Sequence, residues 1–182
     1  KLFRFAGWSA YVSAVATIIG AITLVIFFSL GDPFGIMNDI SSVIIGLTAI
    51  IILFAMYQRH RSVAPVMSLI VFVIGALAML TAAVLQTLLV AIRMDFGVIT
   101  TYMFGVFGTS LMIYGYLVLV NATLPRALGW WGIVAGLGYV LVTTGFIISG
   151  PNHPLTYIGG LASVIAYPTW AIWVGRVLLK SN

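Results

Sequence analysis

Hydrophobic residues fill six long stretches of the chain, and most charged residues fall in the short segments between them. A helix rises 1.5 Å per residue, so about 20 apolar residues cross a hydrocarbon core about 30 Å thick. The pattern therefore predicts an all-α fold, a polytopic transmembrane bundle forming one domain over residues 1–182. The six helices are expected at approximately 8–30, 40–57, 63–92, 98–120, 128–149 and 157–179.

The composition supports a lipid environment. Hydrophobic residues make up 63% of the chain and charged residues 6%, against about 45–50% and 25% in soluble domains. The first apolar stretch is too long for a signal-peptide core, so we expect it to be retained as a span. The chain has no cysteine, which excludes disulfides, thiol nucleophiles and cysteine-bound metals.

The net charge of +5 is distributed unevenly among the predicted loops. Short cytoplasmic loops of membrane proteins are enriched in Lys and Arg. With both termini placed in the cytoplasm, seven basic residues lie inside and only Arg93 lies outside, together with all three acids. We therefore predict cytoplasmic N- and C-termini. The positive-inside rule accounts for the excess of Lys and Arg, so the basic charge does not indicate a nucleic-acid partner and none is expected.

Small and hydroxyl-bearing residues recur at helical spacing in three predicted helices. In lipid, helices associate chiefly through close packing at such residues. We interpret them as helix-packing positions, more in keeping with contacts inside the bundle than with a dimer interface. They are Ser9, Ser13, Thr17 and Gly20 in the first helix, Gly105 and Thr109 in the fourth, and Gly129, Gly132 and Gly136 in the fifth.

The first and fifth helices open with the same pattern, Arg-x-x-Gly-Trp, and each is followed by a turn of Gly and Pro. Two explanations remain open. Helices 1–2 and 5–6 are related hairpins, as in transporters whose repeats bracket a binding site, or any helix that starts in the cytoplasm tends to begin with Arg and Trp.

Ionisable residues deep in a membrane are costly and usually functional, and none is predicted here. His60 and His153 fall in loops at opposite ends, so they cannot ligate one haem together. We therefore predict no catalytic residue, no metal site and no enzyme activity. Asp32, Asp39 and Asp95, with Asn152 and His153, all face outside, where a weak cation site competes with ordinary turn and cap roles.

A second set of residues marks a predicted cavity or kink. Tyr114 and Tyr139 lie near mid-span, where a buried hydroxyl needs a partner or a ligand. Pro168, after Tyr167, removes a backbone donor from the sixth helix and predicts a kink there. Both features fit ordinary helix packing as well as a cavity.

The segment from Leu124 to Gly136, Leu-Pro-Arg-Ala-Leu-Gly-Trp-Trp-Gly-Ile-Val-Ala-Gly, resembles a large family of six-helix bacterial membrane proteins of unknown function. The shared pattern is Leu-Pro-Arg-x-Leu-Gly-x-x-Gly, with a tail similar to Tyr167-Pro168-Thr169-Trp170, Trp173 and Gly175-Arg176. The resemblance implies a six-helix fold in the bacterial cytoplasmic (inner) membrane. It transfers no catalytic residue.

Two functional hypotheses follow. The first is a non-catalytic accessory or scaffold subunit that packs against lipids, pigments or other membrane chains, without a cofactor of its own beyond a bound lipid or pigment. The second is a small transporter or channel for an apolar or weakly polar solute. A cavity inside the bundle distinguishes the second from the first.

Overall fold

The computed structural model describes residues 1–180, so the last two residues of the predicted domain lie outside the described residues. It is an all-α fold, with no strand between residues 1 and 180. All six helices are long and apolar enough to cross a membrane. They are α1 (Leu2–Leu30), α2 (Phe34–His60), α3 (Pro65–Ile92), α4 (Gly97–Asn121), α5 (Arg126–Ser149) and α6 (Pro154–Leu179).

Most helices extend beyond the apolar runs predicted from the sequence. α1 begins at Leu2 rather than at residue 8, and α2 begins at Phe34 rather than at residue 40. The prediction counted only the hydrocarbon-spanning residues, whereas the backbone continues its intrahelical hydrogen bonds into the interface. α3 and α6 begin at Pro65 and Pro154, where the missing N–H costs nothing because the first turn has no intrahelical acceptor.

The helices form a closed ring. Each helix packs against its neighbours in the chain, and α6 returns to pack against α1. Gly7 near the start of α1 lies against Gly175 and Leu179 near the end of α6, so both termini lie at one end of the bundle. We call this the termini end, and the end that carries the α1–α2, α3–α4 and α5–α6 connections the hairpin end.

Charge separates these two ends. The hairpin end carries Arg93 and the three aspartates, Asp32, Asp39 and Asp95. The termini end carries the other basic residues: Lys1, Arg4, Arg59, Arg61, Arg126, Arg176 and Lys180. The cytoplasmic location of the termini end stays a prediction from this charge.

Glycines bring the backbones of α4, α5 and α6 into direct contact. A Cβ added at Gly108 would lie 2.6 Å from the Gly136 carbonyl oxygen, and one at Gly115 would lie 2.5 Å from the Gly129 carbonyl oxygen. Across the next seam, a Cβ at Gly159 would lie 2.5 Å from the carbonyl oxygen of Gly138. These two seams hold the closest helix pairs of the bundle.

The other small residues named from the sequence lie at several seams. On α1, Ser13 faces α6 and Gly20 lies against Ser41 of α2. Gly105 lies against Thr143 of α5. Thr109, in contrast, lines a shallow groove and bonds to the carbonyl of its own helix.

The repeated Arg-x-x-Gly-Trp pattern has the same geometry in both copies. Gly7 and Gly129 are buried against neighbouring helices, whereas Trp8 and Trp130 are exposed. Both helices also end on a glycine with positive φ, Gly31 at 72° and Gly150 at 81°, a conformation that favours glycine. The two hairpins therefore match at both ends of their first helix.

We expect Gly108→Ala to lower the free energy of unfolding by about 1–3 kcal/mol, because the added methyl group forces two packed backbones apart. The measurement is unfolding in mixed detergent–SDS micelles. The matched control is Gly160→Ala, where a Cβ meets nothing within 4 Å, and where a change within about 0.5 kcal/mol is expected. Equal losses in the two variants would contradict the backbone-contact interpretation.

Candidate functional site

Large side chains fill the centre of the circle that the six helices form. The fully buried ones include Ile52, Met56, Met79, Leu111 and Leu128. Beside them five rings from α4, α5 and α6 form what we call the aromatic cluster, in which successive ring centroids lie 5.6–6.0 Å apart. Its members are Phe104, Phe107, Tyr139, Tyr167 and Trp170.

The aromatic cluster is tied to α1 by one hydrogen bond. The hydroxyls of Ser13 and Tyr167 lie 2.7 Å apart and are both buried. Trp170 packs beside Gly132, whose missing side chain leaves room for the indole. The predicted packing residues Ser13 and Gly132 therefore position the rings of α6.

Tyr114 has a structural role near the termini end. Its hydroxyl donates to the carbonyl oxygen of Ser68 at 2.9 Å, linking α4 to α3. The sequence left open whether the hydroxyl of Tyr114 bonds to the protein or to a ligand. In the structure it bonds to the protein.

The loop position predicted for His60 is wrong. His60 is the last residue of α2 and is fully buried, with its ring 5.7 Å from that of Tyr114. Its Nδ1–H donates to the Met56 carbonyl oxygen at 2.8 Å, which leaves Nε2 to accept from the Thr123 hydroxyl, also at 2.8 Å. These bonds satisfy a polar ring in an apolar site and fasten the α4–α5 connection to α2.

The hairpin half of the bundle contains an open cleft of about 230 Å³, which we call the hairpin cavity. Every helix except α3 contributes to its wall, and two members of the aromatic cluster, Phe104 and Tyr139, line it. The polar side chains in the wall are Thr17, Asn38, Ser42, Thr101, Tyr139 and Ser163.

Four hydroxyls in this wall can only accept hydrogen bonds from a ligand. Each already donates its proton to a carbonyl oxygen of its own helix, at 2.8 to 3.1 Å. The donors and acceptors are Thr17 to Ser13, Ser42 to Asn38, Thr101 to Gly97 and Ser163 to Gly160. Their remaining lone pairs make the wall rich in acceptors.

Two groups in the wall can donate. The Tyr139 hydroxyl makes no hydrogen bond to any residue between 1 and 180. The Asn38 amide has only a long contact, 3.4 Å, with Asp39. Nearby, the buried Thr100 hydroxyl also has no partner within the described part of the chain.

Pro168 leaves one backbone carbonyl of α6 without its intrahelical donor. α6 runs unbroken through Pro168, but a proline has no N–H to give to the carbonyl four residues earlier. That carbonyl belongs to Val164, a residue that lines the hairpin cavity. The kink predicted at Pro168 stays a prediction.

The acidic residues at the hairpin end have local partners. Asp32 forms an exposed 3.8 Å ion pair with Arg93, and Asp95 accepts from the backbone N–H of Gly97 at 2.7 Å. His153 caps α6 by accepting from the N–H of Leu155. Among residues 1–180 no group of three or more His, Asp, Glu or Cys side chains is placed to hold a metal ion.

Tyr139, predicted as a cavity or kink residue, lines the hairpin cavity, whereas Thr17 was predicted only for packing and Ser42, Thr101 and Ser163 were not predicted at all. Ser42, Thr101 and Ser163 were undistinguished from the many hydroxyls that bond to their own helix. The three share only their location in the hairpin-end half of their helices.

Comparisons with protein families, with curated proteins and with solved structures found no match to this chain. The resemblance to the six-helix bacterial family therefore stays an expectation from its motif.

We expect Ser13→Ala and Tyr167→Phe to be coupled in a double-mutant cycle of unfolding. Interhelical hydrogen bonds in membranes contribute about 0.6 kcal/mol on average and about 1.7 kcal/mol at most, and the coupling energy should fall in this range. The control cycle pairs Tyr167→Phe with Ser9→Ala. Ser9 lies one turn away and donates to its own helix at Phe5, so coupling near zero is expected, and equal coupling in both cycles would refute the Ser13–Tyr167 link.

Proposed function

We propose that this chain is a non-catalytic membrane protein that binds a small, uncharged, hydrogen-bonding solute in the hairpin cavity. The cavity carries the proposal, because it lies between five helices of the ring and brings acceptor and donor groups into an otherwise apolar wall. Solute binding is the first step that the transporter-or-channel hypothesis requires.

The size of the cavity limits the solute. Pockets for drug-sized ligands occupy about 300–1,000 Å³, whereas this cavity has about 230 Å³. The solute should therefore be smaller than a typical drug molecule, in the range of short alcohols and amides.

The chemistry of the wall limits the solute further. No Asp, Glu, Lys, Arg or His is among the lining residues, and burying an unpaired charge is very costly. The hydroxyls of Thr17, Thr101 and Ser163 already donate their protons to backbone carbonyl oxygens, so they offer only lone pairs to a solute. A favoured solute therefore carries O–H or N–H groups. Its own acceptor would meet the Tyr139 hydroxyl.

The accessory or scaffold hypothesis stays a prediction beside this one. It depends on other membrane chains, and native purification with identification of all co-migrating proteins tests it. For either hypothesis we propose the bacterial cytoplasmic membrane as the location, which rests on the family resemblance, and cytoplasmic termini, which rest on the charge of the termini end.

We expect short primary amides and alcohols, with acetamide and 1,2-propanediol as the probes, to bind the protein in lipid nanodiscs. Saturation-transfer NMR detects such weak binding. Gly160→Leu should abolish the signal, because Gly160 lines the cavity and an added Cβ there meets nothing within 4 Å, so the side chain can begin in open space. Tyr139→Phe should weaken the signal, because it removes the free hydroxyl and keeps the ring.

Two controls make this test specific. Leu161→Phe adds bulk to the exposed side of α6, one residue from Gly160, and should bind the probes as the wild type does. N,N-Dimethylacetamide has no N–H and should give a weaker signal than acetamide. A signal that persists in Gly160→Leu, or no signal with any probe, would refute the proposed function.

We expect single cysteines to report the orientation, since the chain contains no other cysteine. Ser62→Cys lies between α2 and α3 at the termini end, and Asn152→Cys lies between α5 and α6 at the hairpin end; both positions are exposed. In intact cells a membrane-impermeant maleimide should label Asn152→Cys and should label Ser62→Cys only after permeabilisation. The reverse labelling would invert the predicted topology.

A further inference from the structure

A long groove lies on the outside of the helix ring, between α1 and α2. It has a volume of about 580 Å³, and we call it the α1–α2 groove. Almost all of its wall is apolar, and its residues include Trp8, Val15 and Ile19 of α1 with Ile40 and Ile44 of α2. It is separate from the hairpin cavity, with which it shares no lining residue.

The part of the groove that α1 lines has the length of one leaflet. Along α1 it runs from Trp8 to Ile19, which is about 16 Å at 1.5 Å per residue. Half of a hydrocarbon core about 30 Å thick is about 15 Å. Ile44, Ile40 and Met37 of α2 flank its deeper part and continue it toward the hairpin end, since Ser41 packs against Gly20. An acyl chain that enters at Trp8 would therefore reach the middle of the bilayer.

The entrance to the groove is aromatic and basic. Trp8 is 57% exposed and packs beside Tyr11, as amphipathic rings do at the headgroup level. Arg4 lies four residues before Trp8, and Lys1 three before Arg4, so both continue the helical stripe that lines the groove. Both are exposed.

Nothing in the described chain neutralises Arg4. It has no ion pair or hydrogen bond with residues 1–180, and all three acids of the protein lie at the opposite end of the bundle. A long cationic side chain at this depth extends toward the headgroups. The α1–α2 groove thus joins an apolar channel of leaflet length to an uncompensated positive charge.

We propose that the α1–α2 groove is a binding site for one anionic glycerophospholipid from the leaflet at the termini end. One acyl chain lies in the groove, and the negatively charged headgroup phosphate lies at Arg4 and Lys1. This inference does not rest on the hairpin cavity or on the solute proposed for it.

Native mass spectrometry of the delipidated protein in detergent tests the site. The probes are palmitoyl-oleoyl phosphatidylglycerol and palmitoyl-oleoyl phosphatidylcholine, which share acyl chains and differ in charge. The wild type should retain one phosphatidylglycerol in preference. Arg4→Gln should reduce that preference about fivefold, because a basic residue near the surface contributes about 1 kcal/mol to binding of anionic lipid. Val15→Trp, which places bulk in the groove at an exposed position, should reduce binding of both lipids.

Matched controls distinguish binding at this site from non-specific attraction of anionic lipid to the basic end of the protein. Arg126→Gln removes the arginine at the equivalent position of the second Arg-x-x-Gly-Trp pattern, and Ile22→Trp adds an indole to an exposed part of α1 outside the groove. Both should behave as the wild type. Equal retention of the two lipids by the wild type would overturn the proposal. So would an equal effect of Arg126→Gln and Arg4→Gln, or full lipid binding by Val15→Trp.

Discussion

Direct contact between glycine backbones is the constraint on which the rest of this bundle depends. In lipid, apolar side chains gain little by leaving their surroundings, so helix association depends on close packing. Gly108 against Gly136 and Gly138 against Gly159 draw α4, α5 and α6 together. This spacing brings the rings of Tyr139 and Tyr167, on different helices, to 5.8 Å from each other. The aromatic cluster beside the hairpin cavity therefore follows from the absence of side chains at the seams.

The two halves of the bundle use their polar groups differently. At the termini end, His60 and Tyr114 form hydrogen bonds with backbone carbonyl oxygens, and His60 also bonds to the Thr123 hydroxyl. In the hairpin half Thr143 of α5 donates to the Thr101 carbonyl oxygen of α4, but the serine and threonine hydroxyls that line the hairpin cavity bond within their own helices. The Tyr139 hydroxyl has no partner in residues 1–180. Polar groups that link helices stabilise a packed interior. Polar groups that do not link helices leave hydrogen-bonding capacity in the wall of a cavity.

The sequence predicts the number and class of the helices well, because the hydrocarbon thickness fixes the length of an apolar run. It does not predict the depth of a residue near a helix end. His60, flanked by Arg59 and Arg61, was expected in a loop, yet three-dimensional contacts bury it. The sequence also does not distinguish the roles of hydroxyls, since Ser9 and Ser13 share a stripe but only Ser13 forms a hydrogen bond to another helix. Which hydroxyls face a cavity depends on helix rotation, which the contacts of neighbouring helices determine.

A cavity without charged side chains has to discriminate by shape and hydrogen bonding. One methylene group more or less in an apolar site changes binding by about 1–3 kcal/mol. A solute that lacks a donor leaves buried acceptors unpaired, at about 1–3 kcal/mol for each. Since the hydroxyls of Thr17, Ser42, Thr101 and Ser163 have already donated their protons, the cavity should rank solutes by their N–H and O–H groups first. Solute size then matters chiefly as an upper limit, set by the aromatic cluster.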